Sequence, residues 1–411
     1  MCFFVLAPYA HARCAGPHSL RESGMFVVMR GHHALALPIL AASLYAQTYI
    51  VDSNNGPGTN YTQISTAVAA VPDGSVLLVR AGAYSTFAIS AKSLTVRGEP
   101  GVVITPTPFV TNAIAVLNLQ PHQAVALQTL TFASASPSPF ATTNVMCSNN
   151  QGTVHLDNLR CANNNSSVGQ IWGTNCSQLL VRGCSNFNGW LQVRLDNCNA
   201  VLESCELGHN PVAPWGAPWA IRQEGGSLQL VNTSVAGGSG GFLEDNAITM
   251  VGGDLRLLGN TVITAGAGSG PSFGVGGTGA VRFGTSVLFL GQPAFEPSIT
   301  ATPKSMPDIS SSTGAFGADA VLRGPNGGLG AIAIALPGPR VVVPGFADAI
   351  WLDSGSLIWV GLGVLGGTTP VSAQWAYTPG SLPQSTVYWQ GISYDAIHQM
   401  QVSNPSFLVV P

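Results

Sequence analysis

The stretch "PWAIRQEGGSLQLVN", residues 218–232, alternates apolar and polar residues, passes through a glycine pair, and then alternates again. A near copy follows in "DNAITMVGGDLRLLGN", residues 245–260. Alternation with period 2 is the signature of a strand, and a Gly pair between two such runs marks a turn. The phrase recurs on both sides: "NVMCSNNQGTVHLDNLRC" (144–161), "QIWGTNCSQLLVRGC" (170–184), "WLQVRLDNCNAVLESCEL" (190–207) and "TGAVRFGTSVLFLG" (278–291). Aligning Ile171, Val193, Ile221, Ile248 and Val281 gives spacings of 22, 28, 27 and 33 residues. A repeat of this length means a solenoid, in which each unit buries its apolar side only by stacking on its neighbours. Short strands with no helix between them predict a parallel β-helix.

Composition agrees. The chain has 411 residues, with 49 Gly, 28 Pro, only 8% charged residues and 46% hydrophobic ones. Low charge with abundant apolar residues argues against disorder, and the Gly and Pro content argues against a helical protein. One helical period does occur: "YTQISTAVAAVPDG" places Ile64, Ala67, Val68 and Val71 on one face. Pro72-Asp73-Gly74 then turns the chain into the strand-like "SVLLVRAGAY".

Near the N-terminus, "MRGHHALALPILAASLYAQ" has a basic start at Arg30, an apolar run from Ala34 to Tyr45, and Ala46 before Gln47. Such a run is too short to span a bilayer and reads as a secretory signal. Residues 1–46 are therefore expected to be a signal peptide, with translation starting at Met25 or Met29. The expected location is secreted or cell-surface, without a membrane span. Residues 47–411 carry 12 basic and 17 acidic residues, which excludes the basic footprint of a nucleic-acid binder.

The run "YTQISTAVAAVPDGSVLLVRAGAYSTFAISAKSLTVRGEPGVVI" (61–104), with its Gly82-Ala83-Tyr84, resembles the opening coils of secreted right-handed parallel β-helix proteins of the pectin lyase-like class. The resemblance implies a capping helix and a right-handed parallel β-helix over residues 47–295. "GQPAFEPSITATPKSMPDISSSTGAFG" (291–317) breaks the period, so 296–318 reads as a linker. Beyond it, short strands separated by Gly, Pro and Ser predict a small antiparallel β-sandwich over 319–411. The ending "TVYWQGISYDAIHQMQVSNPSFLVVP" resembles a C-terminal module of many secreted bacterial proteins. Trp351, Trp359, Trp375 and Trp389 are candidates for sugar contact or for the module's core.

If Ile221 faces the core, alternation sends Arg222 and Glu224 outward, and Arg194, Asp196 and Arg282 align with them. Such a ladder of guanidinium and carboxylate groups can grip an acidic or polyhydroxylated sugar chain. It can equally be a row of cross-strand ion pairs that keeps the face soluble. The loop 209–220 brings Trp215 and Trp219 beside it, either to stack on sugar or to fold back as a lid. The partner this predicts is extracellular polysaccharide; the alternative is a structural or adhesive surface rod.

Enzymes of the resembled class work with clustered carboxylates. The polygalacturonase-type Asp-Asp, Gly-His-Gly and Arg-x-Lys patterns and the pectate-lyase-like Trp-Ile-Asp-His are absent from this sequence. No catalytic residue is therefore assigned. Neither a cofactor nor a metal site is expected, because His155 and His209 lie 54 residues apart and no C-x-x-C occurs. Cys176 and Cys198 are 22 residues apart, and Cys184 and Cys205 are 21 apart, each close to one coil. They are disulfide candidates or, alternatively, small core residues.

Overall fold

In most coils two positions take the left-handed backbone conformation, and these corners set the fold. The computed structural model describes residues 47–105, 112–133, 143–161, 170–185, 191–208, 219–238, 245–267, 271–291, 293–314, 317–343, 349–353, 355–366, 370–376, 386–395 and 399–409. The signal-like segment 1–46 lies outside them.

At the first corner stand Asn118, Asn149, Asn175 and Asn197, with φ between 51° and 56°, and then Gly225 and Gly252. Asn tolerates this conformation better than other residues with a Cβ. Each corner amide donates to the next coil: Asn149 N–H to Thr174 O at 2.9 Å, Asn175 N–H to Asp196 O and Asn197 N–H to Glu224 O at 2.8 Å. In the 218–232 phrase the second glycine is needed as well. Gly226 also has positive φ, and a Cβ there would lie 2.1 Å from the Cys198 carbonyl oxygen. The glycine pair is thus a corner between two faces of one coil. At the second corner stand Thr129, Asn158, Gly183, Ser204, Asn232 and Gly259.

The corners fold successive coils into a parallel β-solenoid of about seven turns. Its first face runs through Phe87–Ser90, Asn112–Leu117, Thr143–Ser148, Ile171–Thr174, Leu191–Asp196 and Trp219–Glu224. It ends in the first halves of Ile248–Leu258 and Val275–Phe283. The second face includes Leu94–Gly98, Ala124–Gln128, Thr153–Asp157, Gln178–Arg182, Asn199–Glu203 and Ser227–Val231, and then the second halves of the same two long strands. Short strands such as Glu206–Leu207, Ser234–Ala236 and Val262–Thr264 form a third face.

Inward side chains stack in columns. Phe87, Ile114, Val145, Ile171, Val193, Ile221, Ile248 and Val275 are successive register partners, all buried. Complete burial of one such side chain contributes about 1.5–3 kcal/mol, and only the neighbouring coils supply the contact. Val281 does not belong to this column. It lies opposite Leu255 on the second face, and Val275 is the partner of Ile248. The misalignment has a simple cause: the dipeptides Ile221-Arg222, Leu255-Arg256 and Val281-Arg282 look alike, although the last two sit beyond the corner.

The helix Ile64–Ala70 buries Ile64, Ala67 and Val68 at the start of the stack. Lys92 Nζ donates to the carbonyls of Val68 and Val71 at 2.7 and 2.6 Å, placing a cation at the helix C-terminus.

Residues 296–318 do not form the expected free linker. Ile299–Pro303 pairs with the Val275–Phe283 strand as a last rung of the solenoid, and Asp308–Gly314 already belongs to the antiparallel part. The crossing takes only residues 304–307. The C-terminal module packs a three-stranded sheet (Asp308–Gly314, Gly317–Arg323, Val371–Ala376) on a four-stranded one (Ile358–Val364, Leu329–Ala335, Thr386–Asp395, Gln399–Val409). Ile309, Ala320, Leu322, Ile332, Val387 and Trp389 fill the space between the sheets. Trp351 and Trp389 are core residues, Trp375 packs against the core, and Trp359 is 54% exposed.

The module lies against the second face. Leu180, Val201, Val231 and Leu258 point outward from the solenoid, yet they are buried under Trp351, Tyr388 and Phe407. The first face is left uncovered by these contacts. Among the described residues no helix is long and apolar enough to cross a membrane.

Candidate functional site

Alternation along the first face puts one outward row on successive coils: Met146, Trp172, Arg194, Arg222 and Thr249 are register partners. Two residues on, a second row runs Ser148, Thr174, Asp196, Glu224 and Val251. Neighbouring coils lie about 4.8 Å apart, so these side chains must meet.

They meet as a linked network. Arg194 Nε lies 3.1 Å from both carboxylate oxygens of Asp196 on its own strand. Its terminal nitrogen reaches Glu224 on the next coil at 3.5 Å. Arg222 Nε donates to the same Glu224 at 2.7 Å. Trp172 Nε1–H donates to Asp196 Oδ2 at 3.0 Å. Each guanidinium also lies over an indole: Arg194 is 4.8 Å from the Trp172 ring centre, and Arg222 is 5.2 Å from that of Trp219. The cluster is thus two cations and two anions held between two aromatic rings, with Thr249 and Val251 ending it on the next coil.

The four charged side chains remain accessible, with Arg194 33% and Arg222, Glu224 and Asp196 31%, 31% and 17% exposed. Partly exposed pairs of this kind each contribute below about 1 kcal/mol, and an exposed cation–π contact contributes about 0.5–1 kcal/mol. The network fixes side-chain geometry more than it stabilises the fold. Among the described residues, Arg222 engages its partner only through Nε, so its terminal nitrogens remain as donors at the outer edge.

Of the residues singled out from the sequence, the structure brings together Arg194, Asp196, Arg222, Glu224 and Trp219. Trp215 lies outside the described residues. Arg282 is not part of the ladder. It stands on the second face, opposite Arg256 on one side and Thr302 on the other, for the reason given for Val281. Trp172 was given no role by sequence reasoning; its place beside Arg194 follows from its position one residue after the inward Ile171, one coil earlier.

Cys176 and Cys198 follow the first corner and Cys184 and Cys205 the second, whereas Cys147 and Cys161 lie in the strands Thr143–Ser148 and Arg160–Cys161. Cys147, Cys161, Cys176, Cys184, Cys198 and Cys205 are buried and outside any disulfide, so neither Cys176–Cys198 nor Cys184–Cys205 is bridged. Cys198 stacks on Cys176, whose amide donates to its sulfur at 3.4 Å. At the second corner Cys184, Cys205, Thr233 and Thr261 do equivalent work. Cys205 Sγ–H reaches the carbonyls of Val181 and Glu203, and Thr233 Oγ1–H reaches those of Leu202 and Val231. Each satisfies polar backbone turned into the core.

A second polar group lies under the module. Glu203 is buried, and its carboxyl accepts from Ser406 Oγ at 2.9 and 2.8 Å. Burial pushes its pKa up to about 7 against the opposing pull of Arg182 and Ser406. His155 sits 5.2 and 5.1 Å from the Tyr388 and Phe407 rings, and burial drives its pKa down to about 3. These residues are buried and join the two parts of the protein.

No family model matches the chain, and no curated protein matches it. Among solved structures it is similar to pectin methylesterase PemA from Erwinia chrysanthemi, at 12% identity and a TM-score of 0.30. That match covers 66% of this chain and 84% of the other. The fold assignment above rests on the register of the coils.

Proposed function

We propose that this is an exported β-solenoid that binds an extracellular glycan along its first face, over Trp172, Arg194, Arg222 and Trp219. The observation that carries the reading is the pairing of two guanidinium–carboxylate contacts with two indoles on a face that the module leaves open. Hydroxyl groups of a sugar can accept from guanidinium nitrogens and donate to carboxylate oxygens, while indoles offer apolar surface to the sugar ring. Because the two arginines are matched by two carboxylates, the site carries no net charge. A neutral, polyhydroxylated glycan fits it better than an acidic one, whose charge would meet carboxylates as often as guanidinium groups.

Export is supported by the signal-like residues 1–46. No catalytic role is proposed, since both carboxylates of the ladder are already engaged by arginines. Titration of residues 47–411 with neutral and acidic polysaccharides tests the reading. Saturable binding of a neutral glycan, little changed by salt, is the expected result, because screening weakens charge–charge attraction and leaves stacking intact. Absence of saturable binding to any glycan would overturn it in favour of the second reading, a surface rod. The internal closure of the ion-pair network is the observation that favours that alternative.

A further inference from the structure

Where the chain crosses from solenoid to module, it leaves a cleft of about 190 Å³. Corner segments of three successive coils form one wall, with Asn232, Gly259–Asn260 and Gly284–Ser286. The start of the module forms the other, with Ser305, Met306, Asp308 and Arg323. One water takes up ~30 Å³ in the liquid, so the cleft has room for several. Its bulk suits a small organic molecule better than a bare ion.

Asp308 is the lining group whose chemistry is least satisfied. It is 7% exposed, and its Oδ2 is buried without a hydrogen-bond partner. Arg323 Nη1 stands 3.7 Å away, close enough for an ion pair and too far to donate a hydrogen bond. Burial outweighs the pull of Arg323 and raises the Asp308 carboxyl to about 6. A buried carboxylate is costly unless donors reach it, and hydroxyl groups entering the cleft beside Arg323 would be such donors.

The rest of the lining complements hydroxyl groups in the same way. Asn232 Oδ1 accepts from the Asn260 amide at 2.9 Å, which leaves the Asn232 NH2 group to donate. The hydroxyls of Thr285 and Ser305 can donate or accept, and Leu258 and Met306 offer apolar surface to C–H groups. Asp308 and Arg323 are the charged residues of the lining, and together they leave it without net charge. An anion would meet Asp308. A metal cation would meet Arg323 and find a single carboxylate, a poor match for ions that gather many oxygens.

We propose that this junction cleft binds one neutral sugar unit, whose hydroxyls donate to Asp308 and accept from Arg323 and the Asn232 amide. Both walls contribute, so an occupied cleft ties the module to the last coils. The site shares no residue with the first-face ladder and does not rest on the glycan reading.

Neutral free hexoses, pentoses and their alditols are the probes, titrated calorimetrically into the protein carrying Arg194→Gln and Arg222→Gln, so that the first face does not contribute. Saturable binding of at least one is expected, with a melting temperature that rises and levels off over the same concentrations. In that background Asp308→Asn keeps the side-chain shape and removes the charge, and affinity should fall roughly tenfold. Thr285 is exposed on the rim, so Thr285→Trp should fill the cleft and abolish binding without lowering the melting temperature of the free protein. Undiminished affinity in Thr285→Trp would overturn the site, whether or not Asp308→Asn folds. So would a linear, non-saturating rise in melting temperature with every sugar, which is the mark of general exclusion. Calcium chloride is titrated alone as a further probe. Saturable calcium binding that Asp308→Asn removes would overturn the sugar assignment in favour of a cation site.

Discussion

Arg194 joins two coils: its Nε is 3.1 Å from Asp196 on its own strand, and its terminal nitrogen is 3.5 Å from Glu224 on the next. The same Glu224 accepts from Arg222 at 2.7 Å, so one carboxylate organises both arginines. Replacing Arg194 and Arg222 together by Gln keeps length and polarity but releases the indoles of Trp172 and Trp219. Glycan affinity should fall roughly tenfold or more, while denaturant stability changes by less than about 1 kcal/mol per pair. Unchanged affinity with a lowered denaturation midpoint would assign the ladder to the scaffold alone.

Arg282 provides the matching control. Its register partner is Arg256, beyond the corner from the ladder. Arg282→Gln should therefore leave glycan binding unchanged. Ile221 lies in the buried first-face column between Val193 and Ile248, and Ile221→Ala should cost about 2–5 kcal/mol in urea unfolding.

How much of this was legible depends on which face is read. First-face strands such as "VRLD" and "IRQE" alternate cleanly, so the solenoid, its inward column and the Arg194/Arg222 ladder follow from period 2 alone. Second-face strands read instead as nearly continuous apolar runs, "QLLVR" and "NAVLE". Such runs mean burial on both sides, and Leu180 and Val201 were the available sign that something covers that face. The last coil was misaligned because "VGGTGAVRF" spells its first-face half with glycines, which carry no periodicity. Which part of the chain covers Leu180, Val201, Val231 and Leu258 is set by the module's placement, and no spacing in the chain records that.

Cys176, Cys184, Cys198 and Cys205 behave as members of the corner stacks, and Cys147 packs inward from the first face. Cys184 stays protonated because burial, followed by Cys205, raises its thiol well above the usual range, and burial does the same for Cys147. Cys176 is lowered instead, by its contact with Cys198, but all six described thiols are buried, so thiol reagents should leave folded residues 47–411 unlabelled and modify them only after denaturation, with no linked peptides in non-reducing maps. Thr233 makes the same backbone contacts one coil along, so Cys205→Thr should be tolerated. Thr233→Val should cost about 1–3 kcal/mol, because the Cys205 amide loses the hydroxyl to which it donates at 3.3 Å.

Glu203 makes docking of the module depend on pH. Burial raises its folded pKa to about 7 from the usual 4.5, so between those values the folded state keeps a proton that the unfolded state has lost. Its contribution to stability is full below pH 4.5 and is lost as the pH rises through about 7. His155 acts with the opposite sign at lower pH: the folded protein stays neutral down to about 3, so acid favours the unfolded state below its usual 6.5. A single variant separates the two. Glu203→Gln retains an acceptor for Ser406 but cannot ionise. The stability of the native protein minus that of Glu203→Gln should therefore decline between pH 5 and 8, by at most roughly 3 kcal/mol. His155 contributes equally to both proteins and cancels. Chemical denaturation of both proteins across that range measures the difference, and a flat difference would mean that Glu203 is not held protonated beneath the module.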